Sequence, residues 1–319
     1  MAHQLTIREN GTAEMFSGNN ETPWHKLGTI VAGKLNAAEA IKAAQLDWQV
    51  DLLPVYVEGK EVEGYKATTR NDNRKVLSIV GSRYNVIQNT DSFDFFDEVV
   101  GSGQAVYDTA GSLFEGRKVW IMAKLPGKLF IRNNPTDITE KNVLLYTSHD
   151  GSSGLSMQIV GTRVVCANTL SVAMGSATNQ IKIRHTKSYA GKIEEAKKAL
   201  ELCTAYFNDL QEVMNILADQ AMTSDEMVKF AEKLVPTSKE DISTRTENIR
   251  SELVGLFSRG KGNLGASRWD ALNAVTEYCD HNRATRSGTE GNEAESRFAA
   301  SLLGSGNAMK NRAMALLVP

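Results

Sequence analysis

A chain of 319 residues has room for one large domain or two modest ones, and its 41% hydrophobic content suffices for a core. Lys+Arg number 36 against 38 Asp+Glu, a formal charge of −2, which excludes an overall basic nucleic-acid coat but not a local basic strip. Cys166, Cys203 and Cys279 form no CxxC pair, so neither a zinc ribbon nor a redox motif is supported, and three scattered thiols fit a reducing compartment. The polar start MAHQLTIREN lacks a secretory apolar core, and no stretch approaches the ~18–20 apolar residues of a membrane helix. The expected location is the cytoplasm, without membrane contact.

The first 30 or so residues are polar and rich in Gly and Asn, and read as an irregular arm pinned by the apolar island Pro23–Gly28. Residues 36–46 predict a short helix with Asn36 as N-cap. Trp48 to Val57 is strand-like, and Tyr65 to Arg70 and Lys75 to Val80 form a hairpin around Asn71-Asp72-Asn73. Asn89 to Val100 predicts a helix with Phe93, Phe96 and Val100 on one face and acidic residues at its start. Strands follow at Val119–Ala123, Lys128–Ile131, Val143–Thr147, Leu155–Val160 and Thr162–Val165. A helix is expected over Cys166–Met174, ended by Gly175, then a last strand over Ile181–His185.

Beyond Gly191 the period becomes helical. Ile193, Ala196, Leu200, Cys203, Phe207, Leu210, Met214 and Leu217 form a heptad-like seam, read first as a long helix lying on its own neighbours and second as a coiled-coil contact between chains. Further helices are expected at 223–234, 240–258, 267–281, 292–303 and 306–317, with Thr223 or Ser224 and Glu226 forming a capping arrangement. The expected class is therefore α+β, with an antiparallel-sheet core over 1–190 and a helical part over 191–319 packed on it.

No GxxxxGK[ST], strand-borne GxGxxG, HExxH or GxSxG occurs, and no catalytic set, metal site or cofactor is expected. A distributed metal site of His149, Asp150 and His185 would depend wholly on the fold. The loop His149-Asp150-Gly151-Ser152 is a candidate functional loop at a strand end. Its plain alternative is a turn in which Asp150 caps the backbone and Gly151 supplies positive φ. Lys182, Arg184, Lys187 and Lys192 form a basic strip with Tyr189 among them, a pattern suited to a single-stranded backbone with stacked bases. A solvated strand face balanced by Glu194 and Glu195 is the equal alternative. In Ser267–His281, Trp269, Leu272, Val275 and Cys279 make an apolar side, and Asp270, Asn273, Glu277 and His281 read as a wet face.

Several segments together carry a resemblance: Pro23–Gly28, Gly111–Trp120, His149–Ser152, Arg163-Val164-Val165-Cys166-Ala167-Asn168-Thr169-Leu170, Trp269–Tyr278 and Gly304-Ser305-Gly306. The chain resembles, over nearly its whole length, the phage/plasmid-like protein family, a domain of unknown function found in phages, prophages and plasmids. The resemblance implies a mobile-element context and brings no activity and no catalytic residues. Strands followed by a helix over Val165–Met174 also look like the core of ring-forming single-strand annealing proteins, an analogy of fold alone.

Three functions compete. The first is a non-catalytic single-stranded DNA-binding or annealing protein, with Arg163, Lys182, Arg184, Lys187 and Lys192 on phosphates, Tyr189 or Trp120 stacking on bases, and self-association through the 193–217 helix. The second is a host-interaction or anti-defence binding protein. The third is an enzyme acting on nucleotides or nucleic acid, with His149, Asp150, Asn168, Glu277 and His281 in one cleft.

Overall fold

The computed structural model describes residues 6, 8, 12–18, 29–31, 35–100, 106–134, 136–163, 168–170, 180–183, 193–237, 242–284, 297, 300–301 and 304–319. Its centre is an eight-stranded sheet built from β1 (Met15–Ser17), β2 (Thr29–Ile30), β6 (Val106–Leu113), β7 (Lys118–Phe130), β8 (Ile138–Ser148), β9 (Leu155–Arg163), β10 (Asn168–Leu170) and β11 (Gln180–Ile183). The order is β10-β9-β8-β7-β6-β1-β2, with β11 also paired to β9. Every pairing is antiparallel except β1 with β2. A second, antiparallel sheet joins β3 (Val50–Val57), β4 (Lys60–Arg70) and β5 (Val76–Gly81).

Alternation along β7 to β9 gives the large sheet two different faces. Val119, Ile121, Ala123, Val143, Leu145, Leu155 and Met157 share a core with α1 (Ala37–Ala43), α2 (Asn89–Val100), Trp48, Val50 and Leu77. Trp120, Leu144, Tyr146 and Val160 gather on the opposite side with Met15 and Leu113. Leu129, Ile131 and Ile159 belong to a third core with the C-terminal helices α3 (Ile193–Asp219), α4 (Ser224–Leu234), α5 (Thr244–Arg259), α6 (Arg268–Glu277) and α7 (Ser305–Leu317). No helix among the described residues is long and apolar enough to cross a membrane.

The expected α+β class holds, as do the Asn36 cap, the 71–73 hairpin and the Thr223–Glu226 capping box. Three expectations change. The N-terminal segment is not wholly an irregular arm, because β1 closes an edge of the large sheet against β6. Val119–Ala123 and Lys128–Ile131 are largely one strand, interrupted by a register shift between Lys124 and Lys128. Asn168–Leu170 is a strand, not part of a helix: it pairs with Gly161–Arg163, so ladder bonds to β9 override local helix preference. The remainder of 164–179, like Pro23–Gly28, lies outside the described residues. The seam of α3 is an internal one where its side chains are described, with Phe207, Leu210, Met214 and Leu217 at most 1% exposed inside the helical core.

β6 has a packing constraint that one residue type meets. Gly111 lies opposite Trp120, and a Cβ there would collide with the indole and sit 2.7 Å from the Glu14 carbonyl oxygen. Gly111→Ala should therefore cost about 1–3 kcal/mol in urea denaturation. Gly81→Ala, where a Cβ meets nothing within 4 Å, should stay within about 0.5 kcal/mol of wild type.

Candidate functional site

The most highly organised polar cluster joins three distant parts of the chain. β4 ends at Arg70, whose side chain is 1% exposed, and β1 is preceded by Glu14, whose side chain is fully buried. Arg70 Nη2 donates to Glu14 Oε1 at 2.5 Å and to Asp72 Oδ2 at 2.7 Å, and Nε donates to Asp72 Oδ1 at 3.0 Å. Nη1 donates to Glu14 Oε2 and to the Glu115 carbonyl oxygen. The guanidinium lies 4.1 Å from the centroid of the Trp48 ring. Arg8 and Ser112 complete the shell of Glu14, through Nε at 3.2 Å and Oγ at 2.6 Å. Burial works against the cation and is outweighed by the hydrogen bonds it donates to Asp72 and Glu14, so Arg70 stays charged. Asp72 is likewise pushed up by burial but pulled further down by Arg70, ending below the ordinary carboxylate value.

The same wall holds the candidate loop. His149 is fully buried, its Nε2 lies 2.9 Å from Asn89 Oδ1, and its ring meets Trp48 edge-on at 5.5 Å. Asp150 Oδ1 accepts from the Ser152 backbone N–H at 2.8 Å, and Gly151 has φ +75°. This is the turn geometry of the plain alternative, with His149 a packed residue beside it.

On the opposite face a bulge in β6 projects Asp108 toward Lys124, whose Nζ lies 3.2 Å from Asp108 Oδ1 and 3.0 Å from Glu140 Oε2. Burial raises Asp108 above its ordinary value despite Lys124. Trp120 is 4% exposed in the hydrophobic cluster of this face, so it is not placed to stack on a base. Of the predicted nucleic-acid residues, Arg163 pairs in register with Thr139 and Asn168, and Lys182 with Ser156. Arg184, Lys187, Tyr189 and Lys192, and the proposed boundary near Tyr189–Gly191, lie outside the described residues, as do Cys166 and His185.

The polar stripe of Ser267–His281 is not a wet face: Asp270 and Asn273 are buried, at 5% and 3% exposure, and Glu277 and His281 are half-buried. Asp270 accepts from the backbone N–H groups of Leu264, Ala266 and Ser267, so its carboxylate organises the loop that enters the helix. Glu277 accepts from the Lys261 N–H at 3.0 Å. Asp280, Ser301 and Lys310 form a buried cluster, with Lys310 Nζ 2.5 Å from Asp280 Oδ1 and 2.7 Å from Ser301 Oγ. Glu277 thus bonds to a loop of the helical part and His149 to the wall around Trp48, in two different hydrogen-bonded clusters. Cys279 is buried, and burial pushes its thiol up to about 11. No group of three or more His, Cys, Asp or Glu among the described residues could hold a metal ion.

Two clefts lie in or beside the helical part. One, of about 430 Å3, sits where the sheet meets the helices, and its polar residues are engaged: Arg132 Nε binds Asp219 at 2.8 Å and Trp269 Nε1 donates to Asp137 at 3.4 Å. The other, of about 370 Å3, is lined by Arg245, Arg283 and Arg312, residues 38 and 29 positions apart that no local motif connects. Sequence reasoning missed them for that reason.

An antiparallel sheet closed by an N-terminal strand, followed by a packed helical bundle with arginines gathered at one cleft, defines an α+β protein in which polar clusters are mostly structural. A family model described as Domain of unknown function (DUF932) matches residues 76–302, and the chain belongs to that family. No curated protein and no solved structure matches the chain.

Removing one member of the Arg70 cluster should be worse than removing two. Glu14→Ala strips the buried guanidinium of one carboxylate and should cost about 3–5 kcal/mol, whereas Glu14→Ala with Arg70→Met should recover much of that loss. Denaturant titration of the four-member cycle checks it. The Asp72 contribution should be complete above about pH 4 and vanish as pH falls through its depressed folded value.

Proposed function

We propose that the protein is a non-catalytic nucleic-acid-binding protein of a mobile element, with single-stranded DNA as its ligand. The observation that carries the reading is the position of β11. The basic strip begins at Lys182 on a strand that pairs with β9 off the main path of the sheet, opposite Ser156, and continues in sequence through Arg184, Lys187 and Lys192. Cations placed along a sheet rim bind phosphates without reading base sequence, and Tyr189 supplies a stacking group within the strip. Annealing would follow from holding the strand extended with its base edges free. The mobile-element context rests on the resemblance to phage/plasmid-like proteins. The analogy with ring-forming annealing proteins lends less, because the expected helix is a strand at Asn168–Leu170.

The groups that chemistry would need favour binding over catalysis. His149 is enclosed, Asp150 holds its own turn, Glu277 anchors the Lys261 backbone, and Asp280 is bonded to Lys310 and Ser301. A second reading, a protein partner such as a host factor, draws on the small sheet. Leu53, Tyr65, Val76 and Ile79 lie on its outer side at 39%, 53%, 54% and 58% exposure.

Fluorescence anisotropy with a labelled oligonucleotide at several salt concentrations tests the first reading. Binding should weaken with salt by a log–log slope of about −0.7 per phosphate neutralised. Replacing Lys182, Arg184 and Lys187 with Ala should weaken binding and flatten that slope by about 2, with little dependence on base sequence. A folded protein that fails to bind at low salt would remove this reading and promote the protein-partner one.

A further inference from the structure

We propose that the 370 Å3 cleft between α4, α5, the turn after α6, and α7 is a binding site for a phosphomonoester with an organic body about the size of a nucleoside. The cleft is lined by Arg245, Arg283 and Arg312 and by no carboxylate. None of the three arginines forms an ion pair with a described residue; Arg245 and Arg312 are exposed and Arg283 is half-buried. Arg312 Nη2 donates to the Lys233 carbonyl oxygen, which orients it and leaves its charge uncompensated. Arg283 is half-buried, and the side chain it bonds is the Cys279 thiol, which burial keeps neutral, so its charge too meets no carboxylate. Charge-assisted hydrogen bonds to a bound anion would match all three guanidinium groups.

The backbone adds to the same field. Arg245 stands in the first turn of the 16-residue helix α5, and Ser305 opens the 13-residue helix α7. Gly304, the residue before α7, has no side chain with which to cap it. The N-terminus of α7 therefore borders a cleft lined by three guanidinium groups and favours negative charge there, whereas that of α5 is already capped by Ser243 and carries Glu247 in its first turn. The segment Tyr278–Asn282 departs from α-helical into π-helical geometry and carries the chain from α6 to Arg283. Tyr278 lines the cleft; burial holds its phenol above the ordinary value against the pull of Arg283 and Arg245, so it remains a hydroxyl donor at neutral pH. Glu252, whose charge also acts on it, accepts from Asn282 Nδ2 at 2.8 Å and does not line the cleft.

The rest of the wall is apolar. Leu234, Val235, Ile249 and Met309 give the organic part a surface on which to lie. The volume falls within the ~300–1,000 Å3 typical of small-molecule sites, more than a bare phosphate fills. The ligand chemistry has two sources, a free mononucleotide or the 5′-phosphorylated end of a strand. The site does not rest on the basic strip at Lys182–Lys192, which lies on a different part of the chain.

Isothermal titration with a nucleoside 5′-monophosphate, the matching nucleoside and inorganic phosphate tests the proposal on the full chain. The monophosphate should bind at least tenfold more tightly than either of the others. Arg245 and Arg312 are exposed at the rim, so R245A/R312A should keep the wild-type thermal transition and lose at least tenfold in monophosphate affinity. Ala308→Glu, at an exposed lining position of α7, should abolish binding by placing a carboxylate in the cleft. Short oligonucleotides with and without a 5′-phosphate separate the sources: a tenfold preference for the phosphorylated end, lost in R245A/R312A, supports the strand end, and equal binding of the two supports the free nucleotide. A monophosphate that binds no better than the nucleoside, or equally well to wild type and both variants, overturns the proposal. Failure of the Lys182, Arg184 and Lys187 replacements to affect strand binding would bear on the basic strip alone.

Discussion

The guanidinium of Arg70 has five N–H donors and almost no contact with water, and the β half of the protein is arranged around satisfying them. Glu14 comes from the residue before β1, Asp72 from the β4–β5 hairpin, and a carbonyl oxygen from the turn between β6 and β7. The flat face of the cation lies on Trp48, which in turn meets His149. A buried ion pair of this kind contributes little net stability over an apolar replacement of equal shape, since desolvation consumes most of the attraction. Its effect is on uniqueness. A guanidinium without its carboxylates cannot be buried, so the small sheet, the N-terminal strand and the large sheet must come together in one arrangement. Ser112 and Arg8, both bonded to Glu14, extend the same constraint into β6 and the residues before β1.

That constraint explains why some elements could be read from sequence and others could not. Val119–Ala123 and Val143–Thr147 are apolar-rich runs with β-branched and aromatic members, Leu155–Ile159 alternates apolar with polar residues, and all three stand at the middle of the sheet. β6, with the sequence VYDTAGSL, gives no such signal although it is buried along nearly its whole length. Each weak residue there answers a distant partner: Gly111 makes room for Trp120, Thr109 donates to the Phe16 carbonyl oxygen, and Ser112 donates to Glu14. Three-residue β1 and β10 are defined by their ladders, β1 with β6 and β2 and β10 with β9. The α6 stripe misled in the opposite way. Asp270 and Asn273 looked exposed because they are polar, yet Asp270 binds three backbone N–H groups of the loop before it and Asn273 donates to the Trp269 carbonyl oxygen.

The same distinction applies to the sites. A charge that is buried and matched, such as Arg70 with Glu14 or Lys310 with Asp280, belongs to the architecture. The loop His149–Ser152 attracted attention by composition, and its side chains serve packing and a turn. Charges without a matching carboxylate are better pointers to ligands, and the described residues gather three of them, Arg245, Arg283 and Arg312, at one cleft of the helical part. Their separation in sequence concealed them, because only the packing of α5, α6 and α7 brings them together. The basic strip from Lys182 onward was legible for the converse reason: it is contiguous.

The central claim is that the Arg70 cluster holds the N-terminal strand and the small sheet in place together, and hydrogen–deuterium exchange on Glu14→Gln compared with wild type addresses it directly. The account predicts that amides of Met15–Ser17 and of the Arg70 end of β4 lose protection in concert, while those in the middle of β7, β8 and β9 keep theirs. Unchanged protection in both segments, or a uniform loss across the large sheet, would contradict it.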